Sequence, residues 1–226
     1  MFATVIKNAP LFNSPEISQI FLNFDPVHLI RELETILLPG TALTIVKQEG
    51  NVLEVTTDEY ASVKPLYIDK RFIVLHDEKQ VERKRVMPSR SDMLERLLNF
   101  PRLPYIWGGN VPGGIPELLD YYPPKNHLSS FDFIYWQLKG VDCSGLLYSI
   151  TDGSTPRNTS QIYNAYPKVS ALKPLDLIVW PGHMLIALPN NKVIESRQYD
   201  GIVVSDLTTR LKEVEKFKPR FLRILE

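Results

Sequence analysis

Alternating apolar and polar positions run through much of the first 75 residues, and this pattern predicts short β-strands. The predicted strands are residues 42–46, 52–57, 62–68 and 72–75. Several short strands at this spacing are typical of a small β-barrel. Residues 26–38 interrupt the alternation, because their apolar positions recur every three or four residues and Pro39-Gly40 follows them. A helix is therefore predicted at residues 26–38.

A charged stretch that ends at Pro88 separates this region from the rest of the chain. We place the domain boundary near residue 86, which divides the chain into residues 1–86 and 87–226. Ser91 is the predicted N-cap of the first helix of the second domain, since one apolar stripe follows it at helical spacing.

The second domain combines an irregular segment with a later set of strands. Residues 110–135 are rich in Pro and Gly, which predicts a long insertion with a short helix near residues 117–121. After residue 175 the pattern returns to short strands separated by turn signals. These predicted strands are residues 177–180, 183–188, 192–197, 201–205 and 221–225. Helices followed by such strands indicate an α+β domain.

The composition excludes several classes of function. Lys plus Arg and Asp plus Glu each number 26, so the formal net charge is zero and no nucleic-acid partner is predicted. No run of about 18 apolar residues predicts a membrane span. The first residues do not resemble a secretory signal, so we expect a cytoplasmic protein. Nothing in the sequence indicates the oligomeric state.

The chain has a single cysteine, Cys143, which excludes an internal disulfide and a zinc site built from several cysteines. A lone cysteine is most often a small, inert core residue. Here, however, Asp142 and Ser144 are typical helix-start residues, and an apolar helical stripe follows them. Cys143 is therefore predicted to lie at a helix N-terminus, where the helix dipole and free N–H groups favour the reactive thiolate.

A thiolate nucleophile needs a general base within hydrogen-bonding distance, and the chain offers four histidines. His28 and His76 lie in the first domain or at its boundary, where surface positions are expected. His127 lies in the Pro-rich insertion and is expected to be solvated. His183 begins a predicted strand, a position that is more often structural when taken alone. Because Cys143 is also present, His183 is the best candidate for the base.

Five short motifs occur in order between residue 90 and the C-terminus. They are Tyr105-Ile106-Trp107-Gly108-Gly109, Asp142-Cys143-Ser144-Gly145, Arg157-Asn158-Thr159, the Asp-Leu-Ile-Val-Trp run at residues 176–180 and the histidine-initiated strand at residues 183–188. Together they resemble the motifs of the NlpC-type (NlpC/p60) peptidases of bacterial cell-wall metabolism, a branch of the papain-like fold. The first domain resembles, less closely, the bacterial SH3-like β-barrel modules that precede such catalytic domains.

The resemblance implies that Cys143 is the nucleophile and His183 the general base. The third catalytic position of the family lies twelve residues after the histidine, at Glu195. Residues 183 and 195 have the same parity across a short loop, so they are predicted to be diagonal neighbours, about 7–8 Å apart between Cα atoms. In an alternative interpretation, Glu195 pairs with Arg197 on a solvated face.

Other motif residues have open interpretations. Tyr105 is either a core aromatic residue or, as the resemblance implies, a hydroxyl donor that helps to stabilise an oxyanion together with the Cys143 backbone N–H. Asp142 either caps the helix or holds the amino group of the substrate. The resemblance also implies substrate contacts at further motif residues, namely Trp107, Ser144, Arg157, Asn158 and Thr159.

Some relatives with this arrangement recycle cell-wall fragments in the cytoplasm and cut after γ-D-glutamate in short peptides with a free N-terminal L-alanine. In those relatives an Arg-Asp-Ser run helps to hold the amine, whereas this chain has Arg157-Asn158-Thr159 and lacks that carboxylate. We predict a papain-like cysteine peptidase that acts on peptidoglycan-derived peptides through a thioester, without a metal or an organic cofactor. The alternatives are an amidase or acyltransferase on the same fold, or a non-catalytic module that binds cell-wall peptides.

Overall fold

The computed structural model describes residues 1–22 and 29–225, and the chain divides into two compact units. The segments of the two units alternate along the sequence. The first unit contains Met1–Lys84 and Ile106–Gly140, and the second contains Arg85–Tyr105 and the chain from Val141 onward.

The segment Ile106–Gly140 is where this grouping departs from the sequence-based division at residue 86. The segment follows that boundary in sequence, but its apolar side chains belong to the core of the first unit. They cluster with buried residues of the N-terminal strands and include Ile115, Leu118, Tyr135, Trp136 and Leu138. The first passage between the units falls after Lys84, close to the predicted boundary.

Most strands belong to two antiparallel sheets. Their bounds are β1 (Phe2–Val5), β2 (Ala9–Phe12), β3 (Leu33–Leu37), β4 (Ala42–Glu49), β5 (Val52–Thr56), β6 (Leu66–Asp69), β7 (Ile73–His76), β8 (Asn110–Val111), β9 (Gly140–Val141), β10 (Leu177–Trp180), β11 (His183–Leu188), β12 (Lys192–Arg197), β13 (Gly201–Asp206) and β14 (Arg220–Leu222). The larger sheet has the order β3-β2-β6-β5-β4-β1-β7, and the smaller one has the order β13-β12-β11-β10-β14.

The helices are short. Their bounds are α1 (Ile17–Leu22), α2 (Arg90–Leu98), α3 (Glu117–Tyr121), α4 (Ser130–Trp136), α5 (Cys143–Ile150), α6 (Thr159–Ala165) and α7 (Leu207–Val214), with 3-10 turns η1 (Lys70–Phe72) and η2 (Glu215–Phe217). In the part of the chain that the structure describes, no helix has the length and apolar character needed to cross a bilayer.

Three helices can be compared directly with the sequence-based predictions. The short helix predicted near residues 117–121 is present as α3. The N-cap of α2 is Ser89 rather than Ser91, because the Ser89 hydroxyl accepts the hydrogen bond from the Asp92 backbone N–H. Helix α4 lies in the segment that was predicted to be irregular, and Ser129 caps it in the same way.

The first unit is rich in β-structure, as the alternating pattern predicted. Strands β4 to β7 correspond to the four predicted strands with shifted ends, and the one predicted at residues 62–68 begins only at Leu66. The largest fully buried side chains of this core include Leu11, Phe12, Leu33, Leu53, Ile68 and Phe72. The closer likeness to an SH3-like barrel stays a prediction.

The helix predicted at residues 26–38 is wrong over its described part. Leu33–Leu37 form strand β3, which pairs with β2, and residues 26–28 lie outside the described residues. The opposite edge of β3 is bound by the Asn110 side chain, whose amide accepts from the Ile36 N–H and donates to the Ile36 carbonyl, both at 2.9 Å. Long-range pairing therefore overrides the helical spacing of the apolar residues.

The second unit carries the smaller sheet, and helix α5 packs against β11 and β12. The core between them contains apolar residues from both layers, including Leu146, Leu147, Met184, Ile186 and Ile194. The strands predicted at residues 177–180, 183–188 and 192–197 are confirmed, and the last two predicted strands correspond to β13 and β14. Helix α7 was not predicted, and it packs against β12 and β13.

Candidate active site

Cys143 is the first residue of α5, so it lies at a helix N-terminus as the sequence predicted. Asp142 is the N-cap, and its Oδ1 accepts a hydrogen bond from the Gly145 backbone N–H at 2.6 Å. Cys143 is 6% exposed, and the Thr159 hydroxyl oxygen lies 3.8 Å from its Sγ. The helix N-terminus and the hydroxyl give the sulfur a polar side, although it also borders the core of the second unit.

Two adjacent strands place His183 and Glu195 on one face of the smaller sheet. Strands β11 and β12 pair antiparallel with Ile186 opposite Ile194. In this register Glu195 is a diagonal neighbour of His183, as their parity predicted. Their side chains meet, with 2.8 Å between Nε2 of His183 and Oε2 of Glu195.

The Glu195 side chain is 0% exposed and has two cationic partners. Besides His183, it binds Arg210 on α7, whose Nε donates to Oε1 at 2.7 Å and whose Nη2 donates to Oε2 at 2.9 Å. Burial raises the pKa of Glu195, but the hydrogen bonds from His183 and Arg210 outweigh it and hold that pKa below its ordinary value. The carboxyl group is therefore an anion at neutral pH. Sequence reasoning missed Arg210, which belongs to none of the motifs.

His183 carries a proton at neutral pH. Burial lowers the pKa of His183, but its hydrogen bonds to Cys143 and Glu195, and their negative charges, outweigh burial and raise the pKa to about 9. Since Nε2 faces Glu195, Nδ1 is the ring nitrogen left for Cys143. The imidazole thus lies between a sulfur atom and a carboxylate that both favour its charged form.

The alternative interpretation of Glu195 as a residue of a solvated face is wrong. Arg197, its supposed partner, forms an ion pair with Asp200, with 3.0 Å between Nε and Oδ2. The oxygens of Glu195 are bound by the imidazole and by the guanidinium of Arg210 instead. The Glu195 side chain therefore lies in the interior of the second unit.

Asp142 is bound by the protein on two sides. Besides capping α5, its carboxylate forms two parallel hydrogen bonds with the Arg157 guanidinium, at 3.0 Å from Nη1 and 2.7 Å from Nη2. The Ser144 hydroxyl donates to Asp142 at 3.1 Å and accepts from Arg157 at 2.9 Å. Ser144 and Arg157 are only 4% and 3% exposed, which favours a supporting role for both over direct contact with a substrate.

Replacing Arg157 with methionine is expected to lower the free energy of unfolding by about 3 kcal/mol, because the substitution leaves the Asp142 carboxylate without its buried charged partner. Arg96 offers a matched control. Its ion pair with Asp152 measures 2.9 Å, but the two side chains are 42% and 58% exposed. Arg96→Met is therefore expected to cost less than about 1 kcal/mol. Urea denaturation measures both losses, and equal values would contradict the importance of burial.

A short extended segment holds Tyr105 in the second unit. Tyr105 forms a parallel bridge with Val141, two residues before the cysteine. Just upstream, the Leu103 carbonyl accepts a hydrogen bond from the Ile202 N–H at 3.0 Å. A Cβ atom on Gly201, which has φ +67°, would lie 2.2 Å from that carbonyl oxygen. Only glycine fits this close approach, so Gly201 indirectly fixes the position of Tyr105.

The Tyr105 hydroxyl remains a hydrogen-bond donor at ordinary pH. Burial, followed by the negative charges of Asp142 and Cys143, raises the pKa of Tyr105 well above its usual value. These two influences place the phenol near the first turn of α5. The structure thus favours the interpretation of Tyr105 as a site residue over that of a plain core aromatic residue.

The remaining predicted contacts are divided between the units. Thr159 lies beside the thiol, and Asn158 is the N-cap of α6 immediately before it. Trp107 belongs to the first unit, where it is 46% exposed. The arrangement described for the second unit therefore brings together all of the predicted site residues except Trp107.

The chain has three further histidines. His127 is exposed and His76 half-buried, and both belong to the first unit, while His28 lies outside the described residues. Within residues 1–22 and 29–225, no three His, Cys, Asp or Glu side chains are grouped so that they could hold a metal ion.

Cys143, His183 and Glu195 supply the parts of covalent acyl transfer: a nucleophile, a proton carrier and an anion that orients the carrier. The buried Tyr105 hydroxyl, on which the charge of Cys143 acts, adds a hydrogen-bond donor, and the backbone N–H groups at the start of α5 add others. These are the groups that thiol-dependent acyl transfer requires.

The chain belongs to the NlpC/P60 family, whose profile matches residues 102–220. The family predicted from the motifs is thereby confirmed. No curated protein matches the chain. Among solved structures, an NlpC/P60 family protein from Bacillus cereus ATCC 10987 is similar over 100% of both chains, with a TM-score of 0.70 and 14% sequence identity. At that identity the likeness concerns the fold alone.

Two solved structures from Mycobacterium tuberculosis match a smaller share of the chain. The peptidoglycan hydrolase RipB is 24% identical over 60% of this chain and 64% of its own, with a TM-score of 0.43. RipD, a non-catalytic NlpC/p60 domain protein adapted to peptidoglycan binding, is 20% identical over 60% of this chain and 96% of its own, with a TM-score of 0.42.

Proposed function

We propose that the protein is a cysteine peptidase that hydrolyses the γ-D-glutamyl–diamino acid bond of peptidoglycan-derived peptides. One observation carries the proposal: a thiol at a helix N-terminus shares an imidazole with a buried carboxylate, 2.8 Å from that imidazole. Burying such charges is costly, and a module that only binds peptides has no need of them. Membership of the NlpC/P60 family and the resemblance of the motifs support the substrate class.

In this proposal, Sγ of Cys143 attacks the γ-D-glutamyl carbonyl carbon, and the carbonyl oxygen becomes an oxyanion. The Tyr105 hydroxyl and the Cys143 backbone N–H donate hydrogen bonds to that oxygen. When the tetrahedral intermediate collapses, the C–N bond breaks, and His183 gives its proton to the leaving amine. A thioester between the acyl group and Cys143 remains.

Hydrolysis of the thioester reverses these roles. The neutral ring of His183 takes a proton from water as the water oxygen attacks the thioester carbon. Collapse of the second intermediate breaks the C–S bond and restores the thiolate beside the protonated ring. Every transferred atom comes from the peptide, from water or from these two side chains, so the reaction needs no cofactor.

Digestion of defined tripeptides, tetrapeptides and muramyl peptides, followed by mass spectrometry, tests the proposal. The expected products are L-Ala-γ-D-Glu and a fragment that begins with the diamino acid. Cleavage between the muramyl group and L-alanine would indicate an amidase instead. Transfer of the acyl group to an added amine would indicate an acyltransferase, and binding without any product would indicate a non-catalytic module.

Acetylating the N-terminus of L-Ala-γ-D-Glu-diaminopimelate is expected to lower kcat/KM by about tenfold or more, because acetylation removes an ammonium group that can form a charge-assisted hydrogen bond. Asn158→Asp tests the source of this preference. A carboxylate binds an ammonium more strongly than an amide does, and aspartate is an equally good N-cap for α6. The variant should therefore increase the ratio of kcat/KM on the free peptide to kcat/KM on the acetylated peptide. Equal rates on both peptides would favour an enzyme that cuts the intact wall.

A further inference from the structure

Arg210 connects helix α7 with the buried carboxylate of the candidate active site. Its Nε and Nη2 donate to Oε1 and Oε2 of Glu195 at 2.7 and 2.9 Å, so the guanidinium faces the carboxylate as a fork. On its other side, Nη1 donates to Glu213 at 2.8 Å. The Glu195 side chain is 0% exposed, whereas that of Glu213 is 54% exposed. Glu195 is therefore the partner whose burial makes a countercharge necessary.

We propose that Arg210 is a positioning residue that acts on His183 through Glu195, because its fixed charge keeps the carboxylate in place and ionised whenever the imidazole is neutral. The inference rests on the proposed function for the catalytic cycle, but it does not depend on which peptide is cut. A guanidinium is protonated at every ordinary pH, whereas an imidazole is charged for only part of a cycle.

The cycle itself creates the need for a second cation. After His183 gives its proton to the leaving amine, the ring is neutral, and Glu195 alone would be a buried anion without a countercharge. With Arg210 in place, the carboxylate keeps two hydrogen bonds from a cation at this stage. Nε2 of His183 therefore keeps its acceptor, and the ring keeps its orientation for the attack of water on the thioester.

The charges around His183 determine in which direction the loss of Arg210 moves the pH at which the imidazole loses its proton. The ring faces Cys143 on α5 and Glu195 on β12, and both favour the protonated ring. Glu195 in turn faces Arg210, which is also paired with Glu213. The positive charge of Arg210 opposes a second positive charge on the ring and so favours the neutral form. Removing Arg210 keeps the ring protonated to higher pH, whereas removing the Glu195 carboxylate has the opposite effect.

Arg210→Met tests the inference through the pH dependence of Cys143 alkylation by iodoacetamide, which reports on the thiol–imidazole pair without a substrate. The alkylation rate should change where His183 loses its proton, near pH 9 in the unmodified protein. The midpoint of this basic transition is expected to rise by about half a pH unit to one pH unit in the variant. The kcat/KM for peptide cleavage is expected to fall by about tenfold or more. Arg210→Lys keeps the charge and is expected to restore the transition and part of kcat/KM. A transition that stays in place or falls in Arg210→Met overturns the inference.

Arg223→Met is the matched control, because Arg223 forms a similar fork on the buried carboxylate of Asp176, which does not hydrogen-bond to His183 in the described structure. It is expected to change neither quantity. In the Glu195→Gln background, Arg210→Met should shift the transition much less, since the carboxylate that connects the guanidinium with the imidazole is then absent. If Arg210→Met does not fold, Arg210→Gln keeps donors without the charge, and an unshifted transition there overturns the inference equally.

The two readouts separate this inference from the proposed function. If the unmodified protein cleaves none of the peptides but Arg210→Met raises the alkylation transition, the proposed function fails and the role of Arg210 stands. If the peptides are cleaved but the transition does not rise, the role of Arg210 fails and the proposed function stands.

Discussion

Replacing Cys143 with serine is expected to lower kcat/KM on peptidoglycan-derived peptides by at least about a thousandfold. A hydroxyl holds its proton far more tightly than a thiol does, so serine does not supply the anion that attacks the carbonyl carbon at neutral pH. The fold is expected to survive, because serine suits the first turn of a helix and the Asp142 cap is unchanged. Thermal unfolding, measured beside kcat/KM, separates lost chemistry from lost structure.

His183→Ala is expected to cause a similar loss of activity, because it removes the group that carries the proton to the leaving amine. His127→Ala is the matched control, since His127 is exposed and belongs to the first unit. An inactive His127→Ala protein beside an active His183→Ala protein would show that the general base has been wrongly assigned.

Glu195→Gln is expected to shift the basic limb of the pH–rate profile to lower pH by about one pH unit or more. The carboxylate is an opposite charge next to the imidazole, so it raises the pKa of His183 and keeps the ring protonated as the pH rises towards about 9. A neutral amide of the same shape removes that charge, and the ring then loses its proton at a lower pH. The active fraction at pH 8 to 9 should fall accordingly.

Glu213→Gln is the matched control for this substitution. Glu213 binds the same guanidinium as Glu195 but is 54% exposed and does not hydrogen-bond to His183 in the described structure. Its replacement is expected to leave the basic limb where it is. The kcat/KM of the three proteins, measured between pH 5 and 10, decides the matter, and an unchanged limb in Glu195→Gln would remove Glu195 from the proposed mechanism.

The main residues of the candidate site could be predicted because each depends on a short local signal. Asp142, Ser144 and the apolar stripe that follows define a helix start and so place Cys143, whatever the rest of the chain does. The fixed period of two along a strand predicts that residues 183 and 195 share a face. Neither argument needs to know which distant segment packs nearby.

Arg210 could not be predicted, because a long-range contact decides its partner. The sequence holds a local signal for α7, namely the N-cap Asp206 and apolar residues at helical spacing after it. That signal does not say that the helix folds back on β12 and presents Arg210 to Glu195. From the sequence, Arg210 is one of many surface-compatible arginines.

Strand β3 shows the same limit within the fold. The apolar spacing of residues 33–37 suits a helix, but pairing with β2 and the amide of Asn110, more than 70 residues later, make the segment a strand. Local periodicity is a weaker determinant here than the partners that complete the backbone hydrogen bonds on both edges.

The two-part construction of the first unit limits how this protein can change during evolution. Apolar side chains from Ile106–Gly140, such as Leu118 and Trp136, belong to one core with buried residues of Met1–Lys84. A gene fusion or deletion with its junction at residue 86 would separate the two halves of that core and expose apolar surface. The β-rich N-terminal region therefore cannot be exchanged as an independent domain. Its inheritance is tied to the segment that interrupts the second unit, and substitutions in one half must be accommodated by the other.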